Sequence, residues 1–180
     1  LLFKHRLRLF DRTGAAMRPA AILGRMNEVL MNEISAPGVF VTAIFCLLDT
    51  ENGKLIVASA GHPPLLVHEA HGRVKTVEHT GPALGLHGSA VFAEREIFIK
   101  EADQVLLYID GVFDTTEHRR LNQTQLVEEL QTVDHRTFVL ERILNKARGE
   151  QPLTVRDDLT LLLLDASPGV SRFEHRTNHK

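Results

Sequence analysis

Cysteine is nearly absent. The single one, Cys46, excludes an internal disulfide and makes a reducing, cytoplasmic setting the expectation. It lies in the apolar run Val41–Leu48 and reads as a core residue rather than a nucleophile. Charge of one sign is lacking as well: 21 Lys and Arg stand against 23 Asp and Glu, scattered, for a net charge of −2. No basic footprint for nucleic acid is present. No apolar stretch approaches the roughly 20 residues needed to cross a bilayer, so this segment is not expected to insert into a membrane. Internal repeats and low-complexity linkers are also missing. What remains is an ordinary globular composition, 43% hydrophobic and 24% charged over 180 residues, which suits one core.

The periodicity changes along the chain. Leu1–Asp11 reads as the later part of a helix, broken at Gly14. Pro19 opens a second helix, with Ile22, Leu23, Met26, Val29, Leu30 and Ile34 on one face, stopped by Pro37-Gly38. From Val39 the pattern is strand-like. Val39–Leu48 and Lys54–Ala60 flank an Asn52-Gly53 hairpin signal, and Leu65–His68 and Arg73–Val77 flank a turn at Gly72. Phe92–Lys100 and Gln104–Ile109 follow. Helices are expected over Thr124–Gln131 and Thr137–Ala147, the second capped by Gly149, then a strand over Leu159–Leu164. Residues 1–167 make one domain, and 168–180 a loose polar tail. Segregated helices and hairpin-linked strands imply an α+β fold. Two largely antiparallel sheets packed as a sandwich and flanked by helices would accommodate them.

Acidic residues at strand ends stand out. Asp110 ends the run Val105–Ile109, and Gly111 after it leaves room for close approach. Asp157-Asp158 abut the run Leu159–Leu164. A carboxylate at the end of a buried strand is costly unless paired, and two such ends at one rim would suit a hard divalent cation. Asp-Gly is also a common turn pair, but DTTEHRR after Phe113 offers no returning strand for a hairpin. His62, between Gly61 and Pro63-Pro64, is a candidate base or ligand and equally a turn residue held by its backbone. Other chemistries lack their signatures. There is no G-x-S-x-G elbow, the glycine-rich Thr80–Leu86 lacks the Lys-Ser/Thr of a phosphate loop, and no histidine has a zinc pattern with cysteines. His175 and His179 have helical ligand spacing but lie in the expected tail.

In order and spacing, FVTAIFCLLD, GKLIVASAGHPPLLV, GPALGLHG, EADQVLLYIDGVFDTTE and RDDLTLLLL resemble the SpoIIE-type serine/threonine phosphatases. These are the bacterial branch of the metal-dependent, type 2C-like (PPM) phosphatases, and the resemblance covers roughly Leu1 to Asp165. It implies a type 2C-like β-sandwich with a binuclear Mn²⁺ or Mg²⁺ centre and a metal-activated water as the attacking group. Asp110 matches the aspartate of the family's T-D-G-V motif and Asp157 the first of D-D-[IM]-T, both metal ligands. Gly111, Asp158, Gly61 and His62 fall at supporting positions.

The resemblance further implies a phosphorylated STAS-type anti-sigma-factor antagonist as substrate and an upstream sensor or receiver domain as regulator. The family's remaining ligands, in D-x-S-G-H-G, would precede Leu1, and Asp11–Gly14 only faintly echoes that motif. The expectation is therefore a domain lacking its N-terminal metal-binding strands, with open sheet edges that favour a homodimer. The alternative is a degenerate relative that binds a protein partner without catalysis.

Overall fold

The computed structural model describes residues 16–33, 38–113, 121–132, 139–148, 158–166 and 173–178. The helix expected over Leu1–Asp11, the Gly149 cap and Asp157 lie outside them. The chain divides into two units, Leu1–His62 with His79–Phe98, and Pro63–Glu78 with Ile99–Lys180.

The first unit begins with α1, Pro19–Glu33. Proline suits the first helical position because that N–H has no intrahelical partner. No acidic residue lies in the first turn; a distant one serves instead. Glu94 accepts a hydrogen bond from the Ala20 N–H at 3.0 Å and also pairs with Arg18. Ile22, Leu23, Met26 and Leu30 pack on Ala58, Ala60, Leu84 and Phe92, where alanines let the helix approach the sheet. That sheet is antiparallel, in the order β1-β2-β5, from β1 (Ala43–Asp49), β2 (Lys54–Ala60) and β5 (Arg95–Phe98). In the β1–β2 hairpin, the Asp49 carboxylate accepts from the Glu51 and Asn52 N–H groups at 3.0 and 3.2 Å, and Gly53 takes φ +64°. The Asn52 side-chain amide also donates to this carboxylate, at 2.6 Å, and does most to hold the Asp49 carboxyl below its usual range, with the two N–H bonds adding to it. Cys46 departs from expectation. It is exposed, because β1 is an outer strand of the sheet and its apolar run is not buried on both faces. The strand expected from Phe92 begins only at Arg95, and Phe92 itself packs under α1.

The second unit holds an antiparallel sheet in the order β4-β3-β6-β7-β8. Its strands are β3 (Leu65–His68), β4 (Val74–Val77), β6 (Gln104–Tyr108), β7 (Leu159–Asp165) and β8 (Phe173–Asn178). β8 corrects the expectation of a loose tail, since 173–178 pairs with β7 in continuous register. Leu66, Leu106, Tyr108 and Leu161 form one core with Leu126 and Leu130 of α2 (Gln123–Thr132) and Ile143 of α3 (Val139–Arg148). A reciprocal cap starts α2: Asn122 Oδ1 accepts from the Gln125 N–H at 2.8 Å, and Gln125 Oε1 from the Asn122 N–H at 2.9 Å. Glu129 of α2 pairs with Arg142 and Lys146 of α3. Among the described residues no helix is long and apolar enough to cross a membrane.

Candidate functional site

The ladder between β6 and β7 decides where the acidic motifs fall. Tyr108 pairs with Leu161, and the Ile109 N–H donates to the Thr160 carbonyl at 3.2 Å. Because the strands are antiparallel, the end of β6 lies beside the start of β7. Asp110 and Asp158 therefore emerge at one rim of the sheet. β3 begins at this rim too, since Leu66 pairs with Leu106 and His68 with Gln104.

After Ile109 the chain turns into a short 3₁₀ helix, Asp110–Phe113, closed by the Val112 N–H donating to the Ile109 carbonyl at 3.1 Å. Val112 drops into the core under α3, which fixes the turn. Gly111 is buried against the backbone that begins β7. A Cβ there would strike the Asp158 carbonyl oxygen and stand 3.0 Å from its carbon. Only glycine permits this approach.

Asp110 itself is exposed, which corrects the argument from burial: its carboxylate needs no metal to offset desolvation. Asp158 is exposed as well. Two carboxylates on adjoining strand ends are hard oxygen donors. They fit Mg²⁺ or Mn²⁺, ions that take one or two carboxylates and complete their shell with water. Among the described residues no group of three or more His, Cys, Asp or Glu is arranged to hold a metal ion.

Gly61 and His62 end the first of the two segments that make up the first unit. Gly61 has φ +63°, its N–H donates to the Gly81 carbonyl at 3.0 Å, and a Cβ on it would stand 2.9 Å from Ala83 Cβ. Ser59 Oγ donates to the His62 carbonyl at 3.4 Å, and the Ser59 N–H to Thr80 Oγ1 at 2.8 Å. The G-H-P-P and G-P-A-L-G-L segments, separate in sequence, are thus joined. His62 is bonded to Pro63-Pro64, which lead into β3 at the rim of Asp110.

A family model for Stage II sporulation protein E (SpoIIE) matches residues 3–167. The chain belongs to the SpoIIE family. It is 26% identical over 140 residues to Protein IcfG of Synechocystis sp., covering 76% of this chain and 22% of that protein. It is 31% identical over 77 residues to the phosphoserine phosphatase RsbP of Bacillus subtilis, covering 43% of this chain and 19% of that one. The chain thus spans about a fifth of the length of the curated relatives it matches.

Among solved structures, the SiaA-PP2C domain of Pseudomonas aeruginosa matches with a TM-score of 0.66 and 24% identity, over 83% of this chain and 61% of that one. A Bacillus subtilis SpoIIE structure, comprising the PP2C phosphatase domain and a fragment of the regulatory domain, gives a TM-score of 0.69 and 11% identity over 84% and 45%. The SpoIIE fold is therefore a PP2C-like phosphatase fold, α+β with two antiparallel sheets and helices, as the sequence implied.

Proposed function

We propose that this chain is the catalytic part of a metal-dependent phosphatase that hydrolyses phosphoserine or phosphothreonine on a protein. The observation that carries the reading is the meeting of Asp110-Gly111 with Asp158 at one rim of the second sheet. A relative named a phosphoserine phosphatase, and relatives crystallised with magnesium or after soaking in Mn, support the same chemistry.

Asp110 and Asp157 would hold a binuclear Mn²⁺ or Mg²⁺ centre, with Asp158 supporting its neighbour. Bound there, the ions would activate water and offset charge on the phosphoryl oxygens. The protein's own contribution is placement. The β6–β7 ladder fixes the spacing of the two strand ends, and Gly111 lets the 3₁₀ turn press against β7. Val112, anchored in the core, keeps Asp110 at the surface where substrate arrives. Overall, one water is consumed, the phosphorus–oxygen ester bond breaks, and the serine or threonine hydroxyl and inorganic phosphate are released. The substrate we propose is a STAS-type anti-sigma-factor antagonist in a cytoplasmic signalling pathway, with activity set by a sensor or receiver domain.

The test is Mn²⁺-dependent hydrolysis of an aryl phosphate, with Asp110→Asn as control, followed by a phosphoserine protein of the antagonist class. Turnover that requires Mn²⁺ and disappears in Asp110→Asn supports the enzyme. A folded, Mn²⁺-binding chain without turnover would replace it with a binding-only adaptor.

A further inference from the structure

Asn27 sits inside the apolar stripe of α1, one turn after Leu23, and is only 2% exposed. A buried amide is costly in a helix unless both of its ends are used. Here they are. Nδ2 donates to the His87 carbonyl at 2.9 Å, and Oδ1 accepts from the Gly85 N–H at 2.8 Å. A side chain that contacts one donor and one acceptor of a loop fixes its orientation as well as its position. Rotating the amide would set donor against donor.

The contacts continue beyond the loop's first bonds. Leu84 exchanges two backbone hydrogen bonds with Val41, at 2.8 and 3.0 Å. Ala83 lies directly under Gly61, and the Gly61 N–H is held by the Gly81 carbonyl. Direct contacts thus run from α1 to the Gly61-His62 turn within one unit.

We infer that Asn27 is a positioning residue that sets the Gly61-His62 turn through the 81–87 loop. It touches no reacting atom. It acts through the turn, from which the chain runs on through Pro63-Pro64 into β3. The mechanical part of this inference stands alone, while its consequence for turnover rests on the phosphatase reading.

The experiment compares the 180-residue chain with Asn27→Ala and Leu30→Ala. Leu30 packs in the same cluster at 4% exposure without bonding the loop, so it controls for lost core stability. Amide exchange at Gly85 and Gly61 is read by NMR, alongside Mn²⁺-dependent turnover of para-nitrophenyl phosphate per folded molecule. Asn27→Ala is expected to speed exchange at both glycines about 10-fold more than Leu30→Ala does. It should also lower kcat roughly 10-fold with KM little changed. Asn27→Asp keeps the acceptor for Gly85 and turns an oxygen toward the His87 carbonyl; it gives the same pattern and serves if the alanine variant does not fold.

Equal exchange in Leu30→Ala would reduce Asn27 to a core residue. Loosening at Gly85 without Gly61 would overturn the coupling, and loosening of both with unchanged turnover would overturn the functional part. A wild-type chain without turnover defeats the phosphatase reading instead, and the exchange data still decide the coupling.

Discussion

Gly111 and Asp158 meet backbone to backbone, so closely that no side chain fits between them. The contact ties the turn after β6 to the start of β7 and holds Asp110 beside the second acidic motif. Gly111→Ala forces one of these segments to move. Overpacking of this kind costs roughly 1–3 kcal/mol, so a lower melting temperature is expected together with lost Mn²⁺-dependent turnover. An unchanged melt would show that the approach is looser than described.

Asp110→Asn should behave differently. An exposed carboxylate in a turn contributes little to the fold, and substitutions of that kind usually stay within about 0.5 kcal/mol. In the proposed function the effect of the substitution falls on the ion. Wild-type chain should melt higher in Mn²⁺, by about 2.7 kcal/mol of stability at a hundred times Kd, and the variant should lose most of that gain. Equal Mn²⁺ shifts in calorimetry would remove Asp110 from the ligand set.

How far the sequence discloses this arrangement depends on the range of the forces involved. β2 and β3 run as expected, Lys54–Ala60 and Leu65–His68, because a local apolar pattern bounded by turn residues specifies them. α1 is equally plain from Pro19 and its stripe. The rim was legible as two acidic strand ends, though not the exposure of Asp110, which follows from the 3₁₀ turn that Val112 anchors. β8 was not legible. FEHRTN has no apolar alternation, and its strand conformation comes from pairing with β7. Nor was the exposure of Cys46, since the run around it does not reveal that β1 is an outer strand. Asn27 left a signal that could have been read: a polar residue four after Leu23, in the middle of the apolar stripe. Its partners, about sixty residues away, left none.

Tyr108 offers a test of packing next to the rim. It is 2% exposed and stacks edge-on with Phe113 at 5.2 Å between ring centroids, while its hydroxyl has no hydrogen-bond partner among the described residues. An unmet buried hydroxyl costs about 1–3 kcal/mol. Tyr108→Phe keeps the ring contact and removes that cost. The variant should be as stable as the wild type or up to about 1 kcal/mol more so in urea unfolding. A clear loss of stability would reveal a partner for the hydroxyl.

The pairing of α2 with α3 should fail in acid. Burial alone would raise the Glu129 carboxyl, but hydrogen bonds from Lys146 and Arg142 outweigh it and leave the carboxyl below its usual 4.5. A carboxyl lowered in the folded state binds its proton more weakly there than in the unfolded chain. Its stabilising contribution is therefore complete above about pH 4.5 and is lost as pH falls through the depressed value. Glu129→Gln, which cannot ionise, should flatten that part of the stability profile and bring variant and wild type together at low pH. Measured as urea midpoints between pH 3 and 7, profiles that stay parallel would mean that the Glu129 pairs with Arg142 and Lys146 add nothing in solution, as happens with many exposed ion pairs.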